Sequence, residues 1–152
     1  MRVEIEIAAP PEEVRAVLLD FPNYPEWHTN FIKSVSTIPP TKPAISLIEG
    51  DKICAGFTGM TIEPLVTSNT PTEFAWFGSL ALDAFSGRHY FRFEESQITP
   101  ASTTFVHGED YTGWMTFMFG KGWPLHTSVR DMYMGFSRDL KARVEELQRA
   151  QT

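Results

Sequence analysis

One cysteine, Cys54, stands in 152 residues. A single thiol cannot build an intrachain disulfide framework or a thiolate metal cluster, and it fits a reducing compartment. Positive charge is also scarce. Lys and Arg number 13 against 19 Asp and Glu, a formal net charge of −6, which argues against a general phosphate-backbone binder. No nucleic-acid partner is expected. No apolar run is long enough to span a bilayer, and the N-terminus carries neither an apolar signal core nor an Arg-rich transit segment, so the expectation is a cytoplasmic protein. Phosphate loops are missing as well: Gly56-Phe57-Thr58-Gly59 and Gly120-Lys121-Gly122 lack the strand-to-helix setting and read as turns. No Ser or Cys nucleophile signature is present, nothing beside Cys54 marks it as activated, and no cofactor is expected.

Large apolar side chains, in contrast, are abundant. Twelve Phe, 4 Tyr, 4 Trp and 6 Met exceed what routine packing requires and suggest a lined cavity, with an ordinary aromatic core as the competing reading. The length fits one domain, residues 1–152, able to bury its own core. Val3, Ile5 and Ile7 alternate with Arg2, Glu4 and Glu6, the period of a half-buried strand. Pro10 and Pro11 stop it and open a helix, with Glu12 and Glu13 in the first turn and Val14, Val17 and Leu18 as its apolar stripe. Pro22 ends that helix, and a second short one holds Pro25-Glu26-Trp27-His28.

Strand patterns follow at Lys33 to Ile38, Lys52 to Phe57, Met60 to Ser68, Thr72 to Leu82, Arg88 to Glu95 and Thr103 to Trp114. The Pro39-Pro40-Thr41-Lys42-Pro43 stretch is a stiff loop that cannot join a sheet. From about Gly122 the period changes: Leu125, Val129, Met132, Tyr133, Phe136, Leu140, Val144 and Leu147 make one face of a long helix whose other face is charged. The expected fold is α+β: a curved antiparallel sheet of about seven strands wrapped around the C-terminal helix, with two short helices after the first strand. One end of the sheet would leave a pocket. Tyr24, Pro25, Trp27 and His28 would close one end of the cavity and help admit or shape a ligand.

The segments IEIAAPPEEVRAVLLDFPNYPEW, TEFAWFGSL, GRHYFRFEES, TTFVHGEDYTGW and LKARVEEL occur in the right order over nearly the whole chain. Together they resemble the START-related helix-grip superfamily (SRPBCC), particularly its polyketide cyclase/dehydrase-like branch. The resemblance is specific for fold and poor for function, since that superfamily includes lipid carriers, hormone receptors, cyclases and dehydratases.

Strand alternation assigns faces. Arg88, Arg92 and Glu94 mark a solvent face, so His89, Phe91 and Phe93 point inward; Phe105 and Tyr111 carry His107 and Glu109 inward with them; Phe74 and Trp76 share a phase with Leu80. A symmetric hairpin centred near Thr99 puts His89 opposite Glu109 and Phe91 opposite His107. A one-residue slip would flip faces, and a two-residue shift would face His89 to His107. Two imidazoles and a carboxylate in an aromatic concavity suit enolisation, dehydration or ring closure, with burial raising the glutamate pKa and lowering those of the histidines. His89, His107 and Glu109 are therefore the catalytic candidates. Trp27, Phe74, Trp76, Phe91, Phe93, Phe105, Tyr111, Trp114, Tyr133 and Phe136 are the ligand-binding ones.

A His-Glu pair that merely satisfies its own hydrogen bonds explains the pattern equally well. Two His and one carboxylate could also hold a metal, but strand-borne spacing is weak support and no metal is expected. His28 reads as a surface group beside a packed tryptophan or as part of the pocket mouth; His126 reads as an exposed or capping group. The Trp114-Met115-Thr116-Phe117-Met118-Phe119 run would cap the cavity, gate it, or form a dimer contact. Met132 and Met134 read as core packing. The expected partner is a hydrophobic, oxygenated small molecule, either transformed by acid/base chemistry as a polyketide-like or aromatic intermediate or merely carried, as a lipid carrier would; a homodimer stays open.

Overall fold

The computed structural model describes residues 1–80 and 85–151. The first strand, β1 (Arg2–Ile7), buries Val3 and Ile7 and exposes Arg2 and Glu4, as its alternation requires. Helix α1 (Pro11–Leu19) opens on Pro11 with Glu12 and Glu13 in its first turn and buries Val14, Leu18 and Leu19. A single turn at Phe21–Asn23 leads into α2 (Tyr24–Trp27), which ends where His28 becomes extended. Then come β2 (Ile32–Ile38), β3 (Lys52–Phe57), β4 (Met60–Ile62), β5 (Leu65–Asn69), β6 (Glu73–Leu80), β7 (Phe85–Glu95), β8 (Thr103–Thr112) and the long helix α3 (Pro124–Gln151).

Every strand pairing among the described residues is antiparallel, in the order β1-β8-β7-β6-β5-β3-β2, with β4 hairpinned onto β3. This is a helix-grip: the sheet curls around α3, whose buried face is Val129, Tyr133, Phe136, Ser137, Leu140 and Val144. Each fully buried large apolar side chain on that face contributes about 1.5–3 kcal/mol relative to exposure. Pro39 to Pro43 lies outside every strand.

β7 begins at Phe85, three residues before the expected Arg88, and two further departures each rest on one residue. Met60 to Ser68 is two strands, because Pro64 has no N–H to give a ladder; β4 turns back on β3 while β5 crosses to β6. The last strand stops at Thr112, where Gly113 adopts φ 106° and turns the chain, so the alternation does not carry on to Trp114. The end of the strand expected through Leu82, and the inward assignment of the Leu80 side chain, fall outside what is described. The β7–β8 hairpin closes symmetrically, with His89 opposite Glu109 and Phe91 opposite His107.

Candidate functional site

The inward face of the grip divides into a solid half and a hollow half. In the solid half Phe74, Phe91, Phe93, Phe105 and Phe136 are each at most 1% exposed. Phe91 lies 6.5 Å from Phe74, 6.1 Å from Phe105 and 5.7 Å from Phe136 between ring centres. Trp27, half-buried, packs 5.4 Å from Phe136. These six residues, expected as a ligand wall, pack in the core, and none of them is among the residues that line the cavity at the other end of the grip; Trp27 and Phe93 border separate surface grooves. Alternation reports which face a side chain takes, whereas its depth depends on the elements packed over it, here α1, α2 and α3. The short helices after β1 do close one end of the grip, but they pack it shut and do not shape the cavity.

At the other end lies a cavity of about 190 Å³. Trp76, Phe31 and Phe57 wall it, Met60, Ile62 and Met132 surround it, and Val129 faces it from α3. His89, Glu109, Tyr111 and Tyr133 supply its polar floor. Of the expected wall, only Trp76, Tyr111 and Tyr133 belong to it. Trp114 does not: past the Gly113 turn it is 74% exposed. Phe117 is likewise 57% exposed and is not among the residues that line the cavity. Phe31, Phe57, Met60 and Ile62 were missed because their strand edges and turns carry no chemical signature. Gly78 and Gly87, paired across β6 and β7, also line it.

The polar groups form one connected network. The Tyr133 hydroxyl donates a short hydrogen bond to Oε2 of Glu109. Tyr111 Oη lies 3.4 Å from Tyr133 Oη, and its hydroxyl also hydrogen-bonds to the Glu109 carboxylate. His89 Nε2 is 2.7 Å from His107 Nε2. His107 Nδ1 faces the Tyr133 carbonyl oxygen at 3.3 Å, an acceptor, so Nδ1 carries the His107 proton and Nε2 accepts one from His89. That leaves His89 Nδ1 facing Glu109 Oε2 at 3.6 Å and the Tyr133 hydroxyl at 3.5 Å. The His89 ring stacks on Trp76 at 4.9 Å and 8°, and His107 stacks on Tyr133 at 4.4 Å and 5°. His107 is fully buried and reaches the cavity only through His89.

Burial pushes the Glu109 carboxyl pKa up, but hydrogen bonding and charge from His89 and the hydroxyls of Tyr133 and Tyr111 outweigh it and hold the group below the usual carboxylate range. The expectation of a raised glutamate is thus reversed. His107 behaves as expected: burial, and then the neighbouring His89, lower its pKa well below the ordinary value. Burial also raises Tyr133 and Tyr111, with the Glu109 charge adding to it, so both remain phenols.

His28 is neither a surface group nor part of the pocket mouth. Only 2% exposed, it accepts the Phe31 and Ile32 backbone N–H groups at Nε2, 3.0 and 3.3 Å away, and donates from Nδ1 to Asp139 of α3 at 2.7 Å. It fixes the chain that presents Phe31 to the cavity, where the Phe31 ring lies 5.3 Å from both Phe57 and Tyr133. His126 is half-buried in the first turn of α3 and lies outside the cavity.

Among the described residues no cluster of three His, Cys, Asp or Glu side chains is spread for a metal ion. The facing His89 and His107 Nε2 atoms, 2.7 Å apart, are closer than two nitrogens each about 2.0–2.1 Å from a tetrahedral ion would sit. No helix among the described residues is long and apolar enough to cross a membrane.

A sequence profile described as "Polyketide cyclase / dehydrase and lipid transport" matches residues 1–151. The chain belongs to this family. No curated protein matches it in sequence. Among solved structures it is similar to a hypothetical protein from Helicobacter pylori, at 13% identity and TM-score 0.74, over 94% of this chain and 86% of that one. A START superfamily protein from Mycobacterium smegmatis is similar at 17% identity and TM-score 0.66, over 97% of both chains. Norcoclaurine synthase from Thalictrum flavum, a point mutant in complex with a transition-state analogue, is similar at 7% identity and TM-score 0.64, over 97% of this chain and 94% of that one. At such identities the likeness shows the fold.

Proposed function

We propose that this chain binds a small, largely apolar molecule in the cavity and moves a proton on it with His89 and Glu109. The observation that carries this reading is a connected His-Glu pair on the floor of an otherwise apolar cavity, with the carboxylate kept ionised. A cavity of about 150 Å³ holds a benzene-sized guest, so about 190 Å³ favours a ligand of one or two rings over a long acyl chain. Nδ1 of His89 is the proton acceptor, Glu109 stabilises the imidazolium that forms, and buried His107 holds the ring by accepting its Nε2–H. His107 is therefore a positioning residue, while His89 and Glu109 touch the reacting group. Enolisation, dehydration or ring closure of an oxygenated aromatic or polyketide-like molecule all use this proton transfer.

A second reading, a carrier without catalysis, is favoured by one observation: Glu109 bonded to Tyr133, and His89 bonded to His107, already satisfy one another. Deuterium uptake at the α-carbon of phenylacetone in D2O, followed by mass spectrometry, separates the two. The protein is expected to accelerate uptake over buffer, and His89→Ala to lose about a hundredfold of that acceleration while still binding the ketone. Binding with no acceleration would leave the carrier.

A further inference from the structure

Resting on the pocket reading above, we infer that the ligand carries a protonated nitrogen, as an arylalkylamine does, and that this cation pairs with Glu109 inside an aromatic cage. Among the described residues that line the cavity there is no Lys or Arg, and Glu109 is the carboxylate that faces a ligand there. Arg88, the strand neighbour of His89, is turned to the other face of the sheet, where it pairs with Glu73.

The hydrogen-bonding polarity of the floor points the same way. The Tyr133 hydrogen is given to Glu109, the Tyr111 hydrogen lies within the same cluster, and His89 Nε2–H is given to His107. What the Glu109, Tyr133 and Tyr111 oxygens then leave for a ligand is acceptors: carboxylate oxygens and phenol lone pairs. A group that donates is matched by them. A carboxylate or phosphate meets like charge and lone pairs, with the loss of its own hydration unrepaid. A phenol or alcohol donates one hydrogen bond, whereas an ammonium donates up to three and adds attraction to the anion.

The walls suit a cation equally. Trp76, Phe31, Phe57, Tyr111 and Tyr133 line the same cavity as the carboxylate, and aromatic faces attract ammonium groups. The polarisable sulfurs of Met60 and Met132 sit around the same cavity. A single ring on a short amine-bearing chain matches its volume.

Three probes of similar skeleton test this by isothermal titration calorimetry at pH 7.5: 2-phenylethylamine, 2-phenylethanol and 3-phenylpropionate. The amine is expected to bind about tenfold or more tighter than the alcohol, with the propionate weakest. In Glu109→Gln that preference should disappear while affinity for the alcohol changes less than about threefold. The alcohol or the propionate binding as well as the amine would overturn the inference and leave the pocket reading standing, as would a preference that survives in folded Glu109→Gln. Failure of all three probes to bind would overturn the pocket reading, and the inference with it. The wild-type ranking decides the charge preference even where the variant folds poorly.

Discussion

Glu109 and His107 pull their titrations in the directions that make stability depend on pH. In the unfolded chain His107 takes a proton near its ordinary value of 6.5, while in the fold burial and His89 keep it neutral. Below that pH the unfolded state binds a proton the folded state refuses, so stability falls as pH drops through about 6.5, by about 1.4 kcal/mol per pH unit for a full proton. Glu109, with its carboxyl held below its ordinary 4.5, contributes stability that is present above that value and lost as pH falls through its lower folded one. Urea midpoints at pH 8, 6.5 and 5 should therefore decline, and His107→Gln should flatten the upper step. A wild-type midpoint constant from pH 8 to 5 would contradict the assignment. The identities of these groups and their inward direction were legible in the two-residue period. The sign at Glu109 was not, because its phenolic partner Tyr133 arrives from α3, 24 residues away. His28 was misread for the same reason: its partner Asp139 lies 111 residues on.

At the scale of elements, the β7–β8 hairpin sets the site, and a glycine makes room for it. A β-carbon on Gly87 would fall 2.1 Å from Glu109 Oε1 and within 2.9 Å of two of its carbons, so the carboxylate would have to leave its present position. Gly87→Ala is expected to cost about 1–3 kcal/mol and to remove most α-proton exchange, because the displaced carboxylate loses His89 and Tyr133 together. Gly78→Ala, whose β-carbon would meet Ile62 and Pro64 at 3.4 and 3.7 Å, should change stability by less than about 1 kcal/mol and leave exchange intact. Thermal unfolding and exchange measured side by side would reveal the contrast, and equal effects would contradict it. Hairpin register was legible because the chain closes symmetrically around Thr99. The break at Pro64 and the turn at Gly113 each rest on one residue inside an otherwise continuous apolar pattern, and alternation alone does not mark either.

For the whole molecule, the order of strands and helices was readable because each segment keeps its own hydrophobic period, and a long amphipathic helix after an antiparallel meander has few ways to bury its apolar face. How the concavity divides into filled and hollow parts was not readable. Five phenylalanines close one half by packing on each other, and the two-residue period that aims four of them inward, Phe74, Phe91, Phe93 and Phe105, is the same as that of Trp76, His89 and Glu109 beside the cavity. The central claim is that a small ligand enters this cavity, and methyl NMR of the protein titrated with 2-phenylethylamine tests it most directly. Shifts are predicted at Met60, Ile62, Val129 and Met132, with Leu140 and Val144 of the solid half unmoved. Shifts confined to Met115 and Met118 in the exposed turn, or none at all at the cavity methyls, would contradict it.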